Sequence, residues 1–313
     1  VAERALMLRF VLARLAGGVA VVVAVATVCF FLLRAAPGGP FDSEARMAPE
    51  VQRSLEDRYH LHDPLWRQYV AYLGGLARGD LGPSIKRPQS VNQLIAAHFP
   101  VSATIGLCGL LGAIFLGIAM GVGAAWRRGR WPDHGLMALA LIGISVPSFV
   151  LGPALVALIS IRLGWLPPVR IDGAAGYVLP SITLGLLYTG AIARLTRGGM
   201  LEVLGQDFIR TARAKGLGEL RVIGKHALRL GVLPVVTYLG PATAALISGS
   251  FVVERIFQIP GLGFYFISSI ADRDYPVLTG VFVFYVTLLV ALNLVVDVVH
   301  GALDPRIARA GQS

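Results

Sequence analysis

Charged side chains are confined to a few stretches of this chain. Between them lie six uncharged, largely apolar runs: residues 15–33, 99–126, 135–161, 174–193, 230–253 and 275–296. A helix needs about 18–20 apolar residues to cross the roughly 30 Å hydrocarbon core of a bilayer, and each run reaches that length. The pattern predicts an all-α membrane protein with six transmembrane helices and both ends on the same side.

The charged stretches give the direction, because short loops rich in Lys and Arg resist translocation. Arg4, Arg9 and Arg14 precede the first run, and Arg127, Arg128 and Arg130 separate the second from the third. Arg194, Arg197, Arg210, Arg213, Lys215, Arg221, Lys225 and Arg229 separate the fourth from the fifth. The short loops of the opposite face carry only Arg162 and Arg170 in one and Arg255 and Arg273 in the other, so both termini are expected in the cytoplasm. The first run is too long for a signal-peptide core and Arg34-Ala35-Ala36-Pro37 is a poor cleavage site, which makes it a permanent span.

Three segments follow: 1–34, a cytoplasmic N-terminus and first helix; 35–98, an external helical insertion; and 99–313, a five-helix core with a cytoplasmic loop at 194–229. Acidic and basic residues balance in the insertion, which fits a folded element. Helices are predicted over 49–59 and 63–76, the second opened by Asp63-Pro64. The insertion is either a platform for an external protein or a cap packed on the bundle. A second external stretch, 254–276, predicts a short helix over 264–271.

The loop between the fourth and fifth runs is the most informative stretch. Leu201, Leu204, Phe208 and Ala212 recur at helical spacing, Gly216, Leu217 and Gly218 interrupt it, and Leu220, Ile223, Ala227 and Leu230 resume it. This predicts helix, tight turn, helix. One apolar face on each arm would pack on the protein while the turn projects into water among Arg213, Lys215, Glu219 and Arg221. Gly216 and Gly218 are both expected to permit the sharp turn.

Within the apolar runs, polar groups are few. Ser145 and Ser148 flank Pro147 in the third, where proline frees carbonyls that need other partners. Tyr188 and Thr189 lie in the fourth; Thr237, Tyr238, Thr243, Ser248 and Ser250 lie in the fifth. Asn293 and Asp297 stand one turn apart in the sixth, and a carboxylate there must face protein or water. Ser145, Ser148, Tyr188, Thr189, Thr237, Tyr238, Ser248, Asn293 and Asp297 are the candidates for the wall of a translocation path. For Asp297 the competing reading is an ion pair with Arg14, Arg194 or Arg229. Gly117 and Gly121 form a GxxxG face suited to helix packing.

Composition narrows the class. At 313 residues, 55% hydrophobic and 15% charged, with mean hydropathy +0.69, the chain is not a soluble protein. A net charge of +10 then reflects basic loops on one membrane face, and no nucleic-acid partner is expected. Cys29 and Cys108 both fall in apolar runs, so neither a disulfide nor a metal site is suggested.

Arg210, Thr211, Ala212, Arg213, Ala214, Lys215 and Gly216, followed by His226-Ala227-Leu228 and Leu233-Pro234, resemble the cytoplasmic loop of binding-protein-dependent ABC importer permeases. The form is that of dipeptide and oligopeptide permeases. The wider family opens this loop with Glu-Ala-Ala, three residues and Gly; here Arg210 and Thr211 replace the Glu and the first Ala. The stretches 34–41, 61–73 and 78–84, residues 272–276 and Asp304-Pro305-Arg306 also resemble their peptide-permease counterparts. The resemblance implies a type I importer permease fold, a second homologous permease subunit, two ABC ATPase subunits and an external substrate-binding protein. It implies that Arg210, Thr211, Ala212, Arg213, Ala214, Lys215, Gly216, Leu217, Gly218, Glu219 and Arg221 couple to an ATPase.

The chain carries no GxxxxGK[ST] phosphate loop: Gly224-Lys225 is followed by His226, and Glu219 stands where the first Gly belongs. No cofactor is expected in this chain; ATP and Mg would be held by the partner ATPases. Peptides are the default cargo of the resemblance, with nickel, glutathione or haem as alternatives. A secondary transporter or channel without an ATPase is the rival of another class, although internal repeats and mid-span charges are not evident. A serine hydrolase built on Ser248-Gly249-Ser250 lacks a base, since all six histidines lie in loops or at span ends.

Overall fold

The computed structural model describes residues 2–35, 63–169, 173–248 and 250–303. The helix expected over 49–59 and the Asp304-Pro305-Arg306 ending lie outside the described residues. Those that are described form helices and connecting turns: α1 (Ala2–Ala35), α2 (Leu65–Ala77), α3 (Val91–Trp126), α4 (Trp131–Ser145), α5 (Ser148–Arg162), α6 (Val178–Leu204), α7 (Asp207–Ala214), α8 (Glu219–Gly231), α9 (Leu233–Ser248), α10 (Phe251–Ile256), α11 (Leu262–Ala271) and α12 (Tyr275–Leu303).

By length and composition, α1, α3, α6 and α12 can each cross a membrane unbroken. The third and fifth runs differ from straight spans. Helices α4 and α5 meet at 108°, and α8 and α9 at 51°. Counting each bent pair as one broken span gives six candidate crossings by length and composition. The first bend follows from Pro147, which has no N–H and whose ring displaces the residue before it from helical geometry. Val146 is accordingly extended at φ −85° and ψ 118°, and Pro147 opens the next helix. In the second, Val232 ends α8 and Pro234 enters at the start of α9, where its missing N–H costs nothing.

Contacts divide the chain into two compact units. The first holds residues 1–101 and 260–291. In it, α2 begins just after Pro64 and runs to Ala77, starting two residues later and ending one residue later than the expected 63–76 helix. It packs on α1 through Phe30, whose ring stacks on Tyr72 at 5.5 Å, and through Arg34, which donates to Gln68 Oε1. The turn before α3 is tied to the turn before α12. Buried Asp274 accepts from Ser84 Oγ at 2.5 Å and from the Ile85 N–H, while Arg87 bridges Asp274 and Asp272.

The second unit, residues 102–259 and 292–313, is organised around α6. An apolar helix in lipid gains little from burying more apolar surface, so close packing depends on small residues that let backbones approach. Helix α6 has them on several sides. A Cβ on Gly109 of α3 would meet Ser181 O at 3.0 Å, and one on Gly121 would meet Ala193 O at 2.6 Å. On α4, Gly143 lies against Leu186 O, and Gly190 lies against Ala140 O. At the far end Gly199 lies against Gly231 O of α8. The GxxxG face of Gly117 and Gly121 thus serves helix packing.

Candidate functional site

The helix–turn–helix predicted in the loop after the fourth run is present: Leu201, Leu204, Ala212, Ile223 and Ala227 gather in one apolar cluster as the periodicity put them, whereas Phe208, Leu220 and Leu230 do not. Gly205 ends α6 and Gln206 starts α7, so the first arm does not run on from Leu201. Ile209 and Ala212 point inward and Phe208 is half-exposed, where the periodicity had put Phe208 on the apolar face. In the second arm Val222–Ala227 is a π-helical stretch. Val222, Ile223 and Ala227 are buried, whereas Leu220 is 76% exposed and Leu230 also reaches the surface. Both arms close one apolar cluster with Ala125 of α3 and Met200 and Val203 of α6, capped by Leu217. The knuckle is therefore fastened to the ends of two long helices.

The turn is built by a specific helix stop. Gly216 N–H donates to Arg213 O at 2.9 Å and Leu217 N–H to Ala212 O at 3.3 Å, the paired bonds of a Schellman cap. Gly216 has φ +79°, a conformation that costs a residue with a Cβ about 1–2 kcal/mol. Gly218 does not share this need. At φ −61° and ψ 144° it precedes α8 in a conformation open to any residue, so only one of the two glycines makes the turn possible.

Across the turn Arg213 donates Nε to Glu219 Oε1 at 2.8 Å and Nη2 to Oε2 at 3.4 Å. This fork joins the two arms at the tip. Thr211 Oγ1 donates to Asp207 O, and Arg210 pairs with Asp207 on the surface. Ala214, Lys215 and Arg221 face solvent. Of the eleven residues expected to couple, Ala212 and Leu217 anchor the knuckle, Gly216 shapes it, and Arg213 with Glu219 staples it.

A second feature at the same end was missed from the sequence. Asp133, 1% exposed in the first turn of α4, takes a bidentate ion pair from Arg197 of α6 at 2.6 and 2.8 Å. It also accepts the Gly129 N–H at 3.0 Å. The signal was a lone carboxylate in the Arg127–His134 stretch, opposite one of the many arginines of α6 and the knuckle. Spacing along the chain could not pair them.

The pathway candidates separate into groups. Tyr188 of α6 and Tyr238 of α9 come together beside the cluster of Ala113, Ile192 and Val235. Thr189 is buried, returns its hydroxyl to Gly185 O, and lines an apolar cavity of about 300 Å³ between α3 and α6 with Ser181 and Cys108. Thr237 bonds Leu233 O of its own helix. Ser145 and Ser148 flank the 108° bend. Asn293 and Asp297 are half-buried on α12, and the side chain of Ser248 lies outside the described set. Buried Ser250 donates to Glu254, four residues on.

Comparison with known proteins decides the family. Residues 113–309 match the binding-protein-dependent transport system inner membrane component, and residues 7–106 match the N-terminal part of the binding-protein-dependent transport system membrane component. The chain belongs to this permease family. As such a permease it is 44% identical to the oligopeptide transport system permease protein OppB of Haemophilus influenzae, over 96% of this chain and 99% of that protein. It is 43% identical to the dipeptide transport system permease protein DppB of Bacillus subtilis, over 96% and 98%. Its fold is that of a chain in an inward-facing structure of the MetNI methionine ABC transporter, with TM-score 0.52 and 18% identity over 71% of this chain and 97% of that one. The permease is thus a multi-pass component of an ABC transport system, as the loop motif indicated.

Proposed function

We propose that this permease is one membrane subunit of an ATP-driven importer for dipeptides and oligopeptides and forms half of its translocation path. The near full-length likeness to permeases named for those cargoes supports the substrate class. The subunit is non-catalytic: ATP and Mg are held by two partner ATPases, a second homologous permease completes the path, and an external binding protein delivers the cargo. Both termini and the 194–229 loop face the cytoplasm, 35–98 is external, and 99–313 is the moving core. Residues 210–219 and Arg221 seat the knuckle in a cleft on an ATPase, and ATP-driven closure drags α6 with it.

The observation that carries the reading is a rigid, glycine-stopped knuckle whose tip exposes Leu220 between Glu219 and Arg221 while its inner face is locked onto α3 and α6. An apolar side chain ringed by charge suits a protein cleft better than bulk water. The test is the complete assembly in vesicles, assayed for ATP hydrolysis and peptide uptake. Leu220→Glu and Gly216→Pro are expected to leave membrane insertion intact and to remove peptide-stimulated hydrolysis. Normal coupled uptake by both variants, or purification of an active chain without ATPase subunits, would remove the proposal. Uptake of nickel, glutathione or haem in place of peptides would change the cargo alone.

A further inference from the structure

The four-residue turn between α3 and α4 reads Trp126-Arg127-Arg128-Gly129-Arg130-Trp131 with its flanking residues, and nothing in the coupling mechanism uses it. Its two tryptophans end one apolar helix and begin the next. They are 47% and 82% exposed, and Trp131 is the most exposed large apolar side chain among the described residues. All three arginines are exposed, and among the described residues none is paired with a carboxylate. The nearest acid in sequence, Asp133, is buried and fully occupied by Arg197 and the Gly129 N–H. That arrangement does two things. It withdraws the only negative charge of the turn, and it fixes a backbone that Gly129, at φ +72°, folds back on itself. Arg127 lies with its guanidinium 5.9 Å from the centroid of the Trp126 ring, so one cation and one indole share a face.

Indole rings at the end of an apolar helix sit at the level of lipid headgroups, with the ring in the acyl boundary and the N–H toward water. Guanidinium groups match phosphate oxygens with paired N–H donors. A turn that offers both, at the boundary of two membrane helices and held in one shape, is a receptor for a phosphate carried by a membrane. We infer that residues 126–131 form a binding site for the headgroup of an anionic phospholipid in the leaflet at the knuckle end of the second unit. The two tryptophans bracket the glycerol region, and Arg127, Arg128 and Arg130 take the phosphate. A protein partner would instead need to bury Trp131 and three cations against matching acids. The apolar side chains that follow the turn on α4, Leu139, Leu141 and Ile142, are exposed as well, which favours the lipid.

The site does not depend on the proposed cargo or on ATPase docking, and its test reads lipid contact directly. The full chain carries four tryptophans, so Trp66→Phe with Trp165→Phe leaves only Trp126 and Trp131 to fluoresce. That chain, and the complete assembly made with it and with partner subunits whose tryptophans are replaced by phenylalanine, is placed in phosphatidylcholine vesicles with a minor, equal fraction of either brominated phosphatidylglycerol or brominated phosphatidylcholine. Brominated phosphatidylglycerol is expected to quench more strongly, and each Arg→Gln change at 127, 128 or 130 to lower its relative affinity about fivefold. The preference should shrink as salt is raised, in the unaltered turn as well, which answers the question even if the triple Gln variant folds poorly. Soluble glycerol phosphate should not compete. Equal quenching by the two lipids, a preference that survives the triple change, or displacement by glycerol phosphate would overturn the inference. So would loss of all lipid quenching in the complete assembly, which would assign the turn to a protein partner.

Discussion

Cutting the Arg197–Asp133 pair from one side is the sharpest test of how this permease is held together. Asp133 is enclosed and its carboxylate has three donors, two from Arg197 and one from the Gly129 N–H. Arg197→Gln leaves the buried charge with the backbone donor and one weaker amide, a loss of about 3–5 kcal/mol. Asp133→Asn removes the charge and keeps the shape, but its NH₂ must now face a donor, which costs about 1–3 kcal/mol. Combining the two leaves a neutral amide pair, so the double variant should be more stable than Arg197→Gln alone. At about 2–4 °C per kcal/mol for a domain of this size, Arg197→Gln should lower the thermal midpoint of the purified permease by roughly 10 °C. Melting the wild type, both single variants and the double variant in one detergent measures it. Additive losses in the cycle, or a single-variant shift of only a degree or two, would mean that the pair is not a buried structural tie.

Neighbouring glycines give matched comparisons. Gly199→Ala places a Cβ against Gly231 O and should destabilise the permease by about 1–3 kcal/mol, whereas Gly198→Ala meets nothing and should gain up to about 1 kcal/mol from helix propensity; paired melts separate them. Gly216→Ala should cost about 1–2 kcal/mol and Gly218→Ala close to zero, read from thermal midpoints. Arg213→Glu faces Glu219 with a second acid and should weaken ATPase stimulation, and adding Glu219→Arg should restore part of it, measured as peptide-dependent hydrolysis. Gly185→Leu, which would drive a side chain into Gly109, should reduce the yield of folded protein from membranes, while Gly112→Leu should not.

Hydropathy carried most of the topology into view because a bilayer imposes one length on every crossing. It could not show that the third crossing turns through 108°. Pro147 announced a kink, but its size depends on how α5 packs, with Gly152 set against Ile256 and Phe257. The knuckle was legible as a unit because its glycines and charges break an otherwise apolar pattern. Its inward face was legible in part: Ala212, Ile223 and Ala227 are buried where the spacing put them, but the break at Gly205 starts the first arm afresh, so that Ile209 and not Phe208 turns inward, and Leu220 sits at the exposed tip. The Asp133–Arg197 tie is a pairing across 64 residues, which periodicity along one strand of sequence cannot report. The gathering of Tyr188 with Tyr238 was hidden for the same reason.

Where α6 meets its neighbours, backbone lies on backbone: Gly109 on Gly185, Gly190 on Ala140, Gly199 on Gly231. Side chains can absorb a displacement by changing rotamer, but main-chain atoms in van der Waals contact cannot, so these junctions have no play. On the proposed coupling, a pull on the knuckle would pass to α3 and α4 through main-chain contact, like the stroke of a connecting rod. Enlarging any one of those glycines would push two backbones apart, and so loosen the linkage and the fold together.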